Sequence, residues 1–204
     1  MVLQSSSACI SLGQYCWTQF MLVVIETTLP FFLMERFGFS ADRVALYVAL
    51  MMGPGLLTSL LLLLLPENTP RRYLLIPSGF VLALSFPLMG LSRIFSLPQI
   101  PSITAGALAL LGVMRAFPLA FSYSQVLDST RHLVQPGQEE ALKQTISAMR
   151  AGFLWIGLLT GSLFGPVFGK LLGFSRLFDV MGLMSLLLAA ADLVDFILSK
   201  RDPP

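Results

Sequence analysis

Charge is the scarcest feature of this 204-residue sequence: Asp, Glu, Lys and Arg together make up 12%, about half the roughly 25% of an ordinary soluble domain. A chain so poor in charge cannot clothe a normal aqueous surface. Thirteen Lys/Arg against eleven Asp/Glu leave a formal charge of +2, too little to hold a nucleic-acid backbone. Histidine is reduced to His132 alone, which excludes a histidine-rich metal centre, and no metal or cofactor is expected. The only cysteines, Cys9 and Cys16, are read as small apolar residues of a helix rather than a disulfide framework. Met1 to Ser7 lack the basic region and cleavage site of a secretory leader, so the first apolar run is expected to be retained. Asn68-Thr69-Pro70 has the wrong third residue for glycosylation. With no phosphate-cradling Gly-Lys-Ser/Thr loop and no partner for a histidine-based triad, an enzyme is not expected.

What the sequence does have is hydrophobic runs; 55% of its residues are apolar. Six runs approach the roughly 20 residues needed to cross a bilayer core: about 10–34, 44–65, 73–91, 102–127, 145–168 and 177–198. Backbone groups find no water in lipid, so each run is expected to be a helix. The expectation is an all-α membrane protein: one domain over 1–204, crossing a lipid bilayer six times. An even number of crossings puts both termini on one side. The loops and tail there hold Arg71, Arg72, Arg131, Lys143, Lys200 and Arg201, against Arg36, Arg43, Arg93, Lys170 and Arg176 opposite. This slight excess leans towards a cytosolic C-terminus.

Charges within the runs are the candidates for function. Glu26 lies near the middle of the first, and helical spacing puts Gln19 and Tyr15 on its face. Arg115 lies at the middle of the fourth, with Ser122 two turns further on the same face. An ionised group at such a depth costs several kcal/mol unless paired or hydrated. Similar depths on antiparallel helices leave two readings open: a structural ion pair, or a charged site lining a polar cavity. Asp128 marks the polar end of the fourth span. Asp192 and Asp195, three apart, fit either a proton relay or a wet helix end, and Asp179 fits ordinary helix polarity. Small residues and prolines recur at Gly53-Pro54-Gly55 and at Gly157, Gly161, Gly165, Pro166 and Gly169. They fit close helix packing or gating by helices that rock against each other.

Three stretches together resemble the C-terminal half of a major facilitator superfamily transporter, specifically the vesicular amine transporters and their polyamine-carrying relatives. They are Ile25-Glu26-Thr27-Thr28-Leu29-Pro30-Phe31-Phe32-Leu33-Met34-Glu35, Ser122 to Asp128 continuing through Arg131-His132, and Gly161 to Gly169 with Gly173-Phe174. The resemblance implies proton-driven antiport of an organic amine or other small molecule into vesicles or another endomembrane compartment. It implies that the six spans correspond to that family's helices seven to twelve, with the first, second, fourth and fifth around the cavity. By the same likeness Glu26 matches the helix-seven acid and Asp128 the helix-ten acid. Trp155 stands where amine carriers hold an acid, Lys170 replaces a glycine, and Arg71-Arg72 is what remains of the loop motif after the second span. Because the family works with two six-helix halves, the implied partner is a second copy or a separate N-terminal half. The alternative to transport is a non-transporting membrane scaffold or regulatory fragment.

Overall fold

The computed structural model describes residues 2, 5–66, 69, 71–90, 92, 100–131 and 137–201. Asn68, Pro70, Arg93 and His132, noted in the sequence, lie outside the described residues. Among those described there is no strand. The chain forms α1 (Ser6–Phe37), α2 (Ala41–Leu63), α3 (Arg72–Met89), α4 (Pro101–Thr130), α5 (Glu139–Leu172) and α6 (Phe174–Arg201). All six are long and apolar enough to cross a membrane. The chain is a multi-pass membrane protein.

The helix ends follow local chemistry. Ser5 caps α1 by accepting from the Ala8 amide at 3.4 Å, supplying a partner to one of the first, otherwise orphaned, N–H groups. Gly38 ends α1 at φ 63°, a left-handed conformation that a side chain would strain. Pro101 opens α4, where its missing N–H costs nothing. Prolines inside five of the helices, such as Pro54 and Pro118, break ladder hydrogen bonds. Thr58 and Ser59 return hydroxyls to the carbonyls of Pro54 and Gly55, both at 2.9 Å.

Helix pairing follows one scheme. α1 packs on α5, α2 on α4, and α3 on α6; α3 also meets α4, α6 meets α1, and α1 and α4 touch at the centre. Moving every helix three places along the chain turns these six pairs into one another, although the weaker α5–α6 contact has no α2–α3 counterpart of its size.

Close approach at the crossings depends on glycine. A Cβ on Gly112 of α4 would strike the Met51 carbonyl of α2, and one on Gly55 would stand 2.7 Å from the Gly112 carbonyl oxygen. Gly157 and Gly161 of α5 lie in the same way on the Cys16 and Phe20 carbonyls of α1, and Gly165 lies against Val24 and Thr27. Without a water-driven hydrophobic effect between helices in lipid, such van der Waals contact is what holds them.

The main core lies where α1, α3, α4 and α6 meet. It includes Ile25, Leu29 and Leu33 with Phe86, Met89, Leu108, Leu111, Phe178 and Met181. α2 and α5 are the least buried spans and present Leu57, Leu61, Trp155, Leu159 and Leu163 outward. In a bilayer those side chains meet acyl chains rather than water.

Candidate functional site

Trp17 of α1 donates its indole N–H to Ser185 of α6 at 2.9 Å, and Met21 is buried beside the same hydroxyl. This fixes the face of α1 that looks into the bundle. At about 100° per residue, Tyr15, Gln19 and Glu26 fall on the opposite side of the helix. Glu26 is exposed there; among the described residues it makes no hydrogen bond or ion pair, and the charge acting on it is that of Arg115. Gln19 and Tyr15 are 7% exposed, flanked by α5.

Arg115 is half-buried in α4. It lines an open groove of about 490 Å³ with Ala49, Met52, Gly53, Gly55 and Leu119. Its Nη2 donates to the Met52 sulfur at 2.9 Å, while its Nε is buried without a hydrogen-bond partner. Among the described residues no ion pair joins Glu26 and Arg115, although each charge acts on the other.

The other candidates divide. Ser122 is buried with its hydroxyl unpartnered and is not part of the Arg115 groove. Asp128 sits at the far end of α4, exposed and 3.6 Å from Arg71, so it is not gathered with Glu26. Gly53 has open space where a Cβ would stand, and Pro54 is half-buried in the same turn; the packing glycine is Gly55. Gly161, Gly165 and Gly169 are buried along α1, whereas Pro166 is exposed. Pro166 lines a second open groove of about 520 Å³ with Thr27, Phe31, Glu35 and Lys170. Trp155 is also exposed.

Two groups went unread in the sequence. Arg150 of α5 lies over the Tyr15 ring, its guanidinium carbon 4.6 Å from the ring centroid. It also donates to the Leu119 carbonyl of α4 at 2.6 Å, tying α5, α1 and α4 together. A basic residue inside the fifth apolar run was the signal. Gln125 of α4 is the second: it reaches Asp192 on α6 at 3.3 Å. Asp192 itself, left open as a relay or a wet helix end, is fully buried.

No protein-family model matches the chain, and no curated protein matches it significantly. Its function must therefore be argued from the bundle itself. Among the described residues, no three His, Cys, Asp or Glu side chains gather in a way that could hold a metal ion.

Proposed function

We propose that this chain is a six-helix half of a facilitator-type secondary transporter, exchanging protons for a small organic substrate across its membrane. It would work against a second six-helix bundle, either another copy or a separate N-terminal half. The observation that carries this reading is α1's polar stripe. Tyr15, Gln19 and Glu26 face away from the α6 contact, on a helix at the centre of a bundle whose main pairings recur after three helices. Carboxylates inside membrane spans are costly, and those retained mark ion or substrate paths. Inverted three-helix repeats nested in each half are a design of facilitator transporters. Glu26 is the group suited to an organic cation, in line with the resemblance to amine carriers, and Arg115 lines its own groove between α2 and α4. A scaffold would be better served by a closed Glu26–Arg115 pair, and Glu26 lacks one.

The test is uptake of labelled monoamines and polyamines into proteoliposomes under an imposed pH gradient. The protein is supplied both as the chain itself and as a tandem fusion of two copies. Gradient-driven uptake that disappears in Glu26→Gln supports the proposal. Folded protein that drives no uptake in either form defeats the transport reading, and undiminished uptake by Glu26→Gln defeats the assignment of Glu26.

A further inference from the structure

At the membrane edge that carries both chain ends, away from Glu26, four helices converge on one carboxyl group. Asp192 of α6 has 0% exposure. Gln125 of α4 donates to its Oδ1 at 3.3 Å, and its Oδ2 is buried with no hydrogen-bond partner. The side-chain amide of Gln14 of α1 also lies close enough to act on it as a hydrogen-bond donor. The charged groups acting on it are Arg72 of α3 and Asp195, one turn along its own helix.

Arg72 is engaged elsewhere. Its Nη2 stands 3.3 Å from the Asp195 Oδ2 and donates to the Ser7 hydroxyl of α1. Its Nη1 donates to Ser199 at 3.3 Å. Asp195 accepts a further bond, at 2.7 Å, from Ser6. The charge of one guanidinium thus acts on two carboxyl groups, and its ion pair is with Asp195.

This arrangement distinguishes the two forms of Asp192. An ionised carboxylate presents about four acceptor sites and needs donors or a cation for both oxygens; fully buried, with the Gln125 amide on one oxygen, Gln14 nearby and no cation bonded to it, its charge is poorly compensated. A neutral carboxylic acid asks much less of the same surroundings. A route for the proton is also present. An open groove of about 360 Å³ is lined by Thr69, Arg71, Arg72, Gln125, Asp128, Ser129 and Ser199. It reaches Gln125, which bonds Asp192, and Arg72, which would answer its charge.

We infer that Asp192 is a proton-binding site, filled from the terminal side through the groove at Gln125 and Arg72, and that loss of its proton draws Arg72 away from Asp195. The described arrangement is the proton-loaded one. Deprotonation exchanges the Arg72–Asp195 contact for Arg72–Asp192 and loosens the ties to Ser7 and Ser199, so the proton's presence is felt where α1, α3 and α6 end. The role of this site in exchange rests on the transport reading; proton binding itself does not.

Dicyclohexylcarbodiimide, which attacks protonated carboxyls in apolar surroundings, provides the test. The full chain in nanodiscs is labelled across a pH series and the adducts are mapped by mass spectrometry. The adduct is expected at Asp192, declining about tenfold per pH unit above its midpoint, as one titrating proton requires. Asp195, held by Arg72 and Ser6, should take little. Arg72→Met removes the cation that favours the ionised form, so labelling should persist to higher pH, and Arg72→Lys should restore the midpoint towards wild type. Asp192→Asn, a mimic of the neutral acid, should fold normally and lose the adduct. Preferential labelling of Asp195, labelling of Asp192 that ignores pH, or a midpoint equal in Arg72→Lys and wild type but unmoved in folded Arg72→Met would overturn the inference. If Arg72→Met does not fold, Arg72→Gln takes its place with the same expected shift, and labelling undiminished in Asp192→Asn protein would overturn the inference equally. A chain that titrates at Asp192 yet drives no uptake removes the transport reading and leaves the site standing.

Discussion

Arg150 lies across the face of Tyr15, 4.6 Å from its ring centroid, and continues to the Leu119 carbonyl at 2.6 Å. One side chain from α5 thereby fastens both central helices, at the end of the bundle where Leu142 and Ile146 of α5 also meet Val126 and Leu12. A desolvated cation–π contact is worth about 2 kcal/mol, and a hydrogen bond from a charged donor about 1.5–3 kcal/mol. Arg150→Ala is therefore expected to destabilise the fold by about 2–4 kcal/mol, read as a lowered Tm in mild detergent. Tyr15→Phe keeps the ring and should cost little, whereas Tyr15→Leu should lose the cation contact. An Arg150→Ala protein with wild-type Tm would show that the span is held without it.

Glycines two residues apart in α2 are expected to behave oppositely. A methyl group at Gly112 would run into the Met51 carbonyl and one at Gly55 into Gly112, while Gly53 has open space. Overpacking of this kind costs about 1–3 kcal/mol, and here the obstacle is backbone that cannot swing aside. Gly112→Ala and Gly55→Ala should lower Tm and the yield of monodisperse protein in size-exclusion chromatography. Gly53→Ala should stay within about 0.5 kcal/mol of wild type. Equal behaviour of Gly53 and Gly55 variants would mean that the α2–α4 crossing lies elsewhere.

The six spans were legible because each is a run of apolar residues bounded by charge. Their lengths were less so: α1 and α5 extend beyond the apolar stretch to Ser6 and Glu139, since a helix continues into water wherever its ladder can. The glycines of α5 were readable from their spacing of four. Gly53 and Gly55 were not separable, because two residues amount to about 200° of turn and only the neighbour's position decides which one packs. Asp192 could be read as a relay or as a wet helix end because it lies near the end of its run, and only the packing of α3 and α1 on α6, with Gln125 of α4, buries it.

Arg71 and Arg72 are neighbours in sequence and unequal in consequence. The Arg71–Asp128 pair is 3.6 Å apart with side chains 33% and 68% exposed; exposed pairs contribute about 0–1 kcal/mol. The Arg72–Asp195 pair is closer and 23% and 12% exposed, and the same guanidinium also bonds Ser7 and Ser199. Removing one member of a well-buried pair costs about 3–5 kcal/mol, so with this residual exposure Arg72→Ala should lose about 2–3 kcal/mol. Arg71→Ala should lose less than about 1 kcal/mol and show the stronger dependence on salt. Thermal melts of both variants at low and high ionic strength measure the contrast, and equal losses would contradict it.

Glu26 and Arg115 allow the sharpest separation of structure from function. They share no contact within ion-pair distance, Glu26 is exposed, and Arg115 spends its donor on Met52. Stability effects of substitutions without shared partners add to within about 0.5 kcal/mol. Glu26→Gln should leave Tm nearly unchanged, because no hydrogen bond is lost. Arg115→Leu should have its own effect, set by loss of the Met52 contact against relief of a half-buried, poorly satisfied guanidinium. The double variant should show the sum of the two. Uptake driven by a pH gradient is expected to behave differently: Glu26→Gln alone abolishes it, and adding Arg115→Leu does not bring it back. A structural pair would give the reverse pattern, with each single variant damaged and the double partly restored. A coupling energy above about 1 kcal/mol, or recovery of uptake in the double variant, would show that the two charges meet in the working protein.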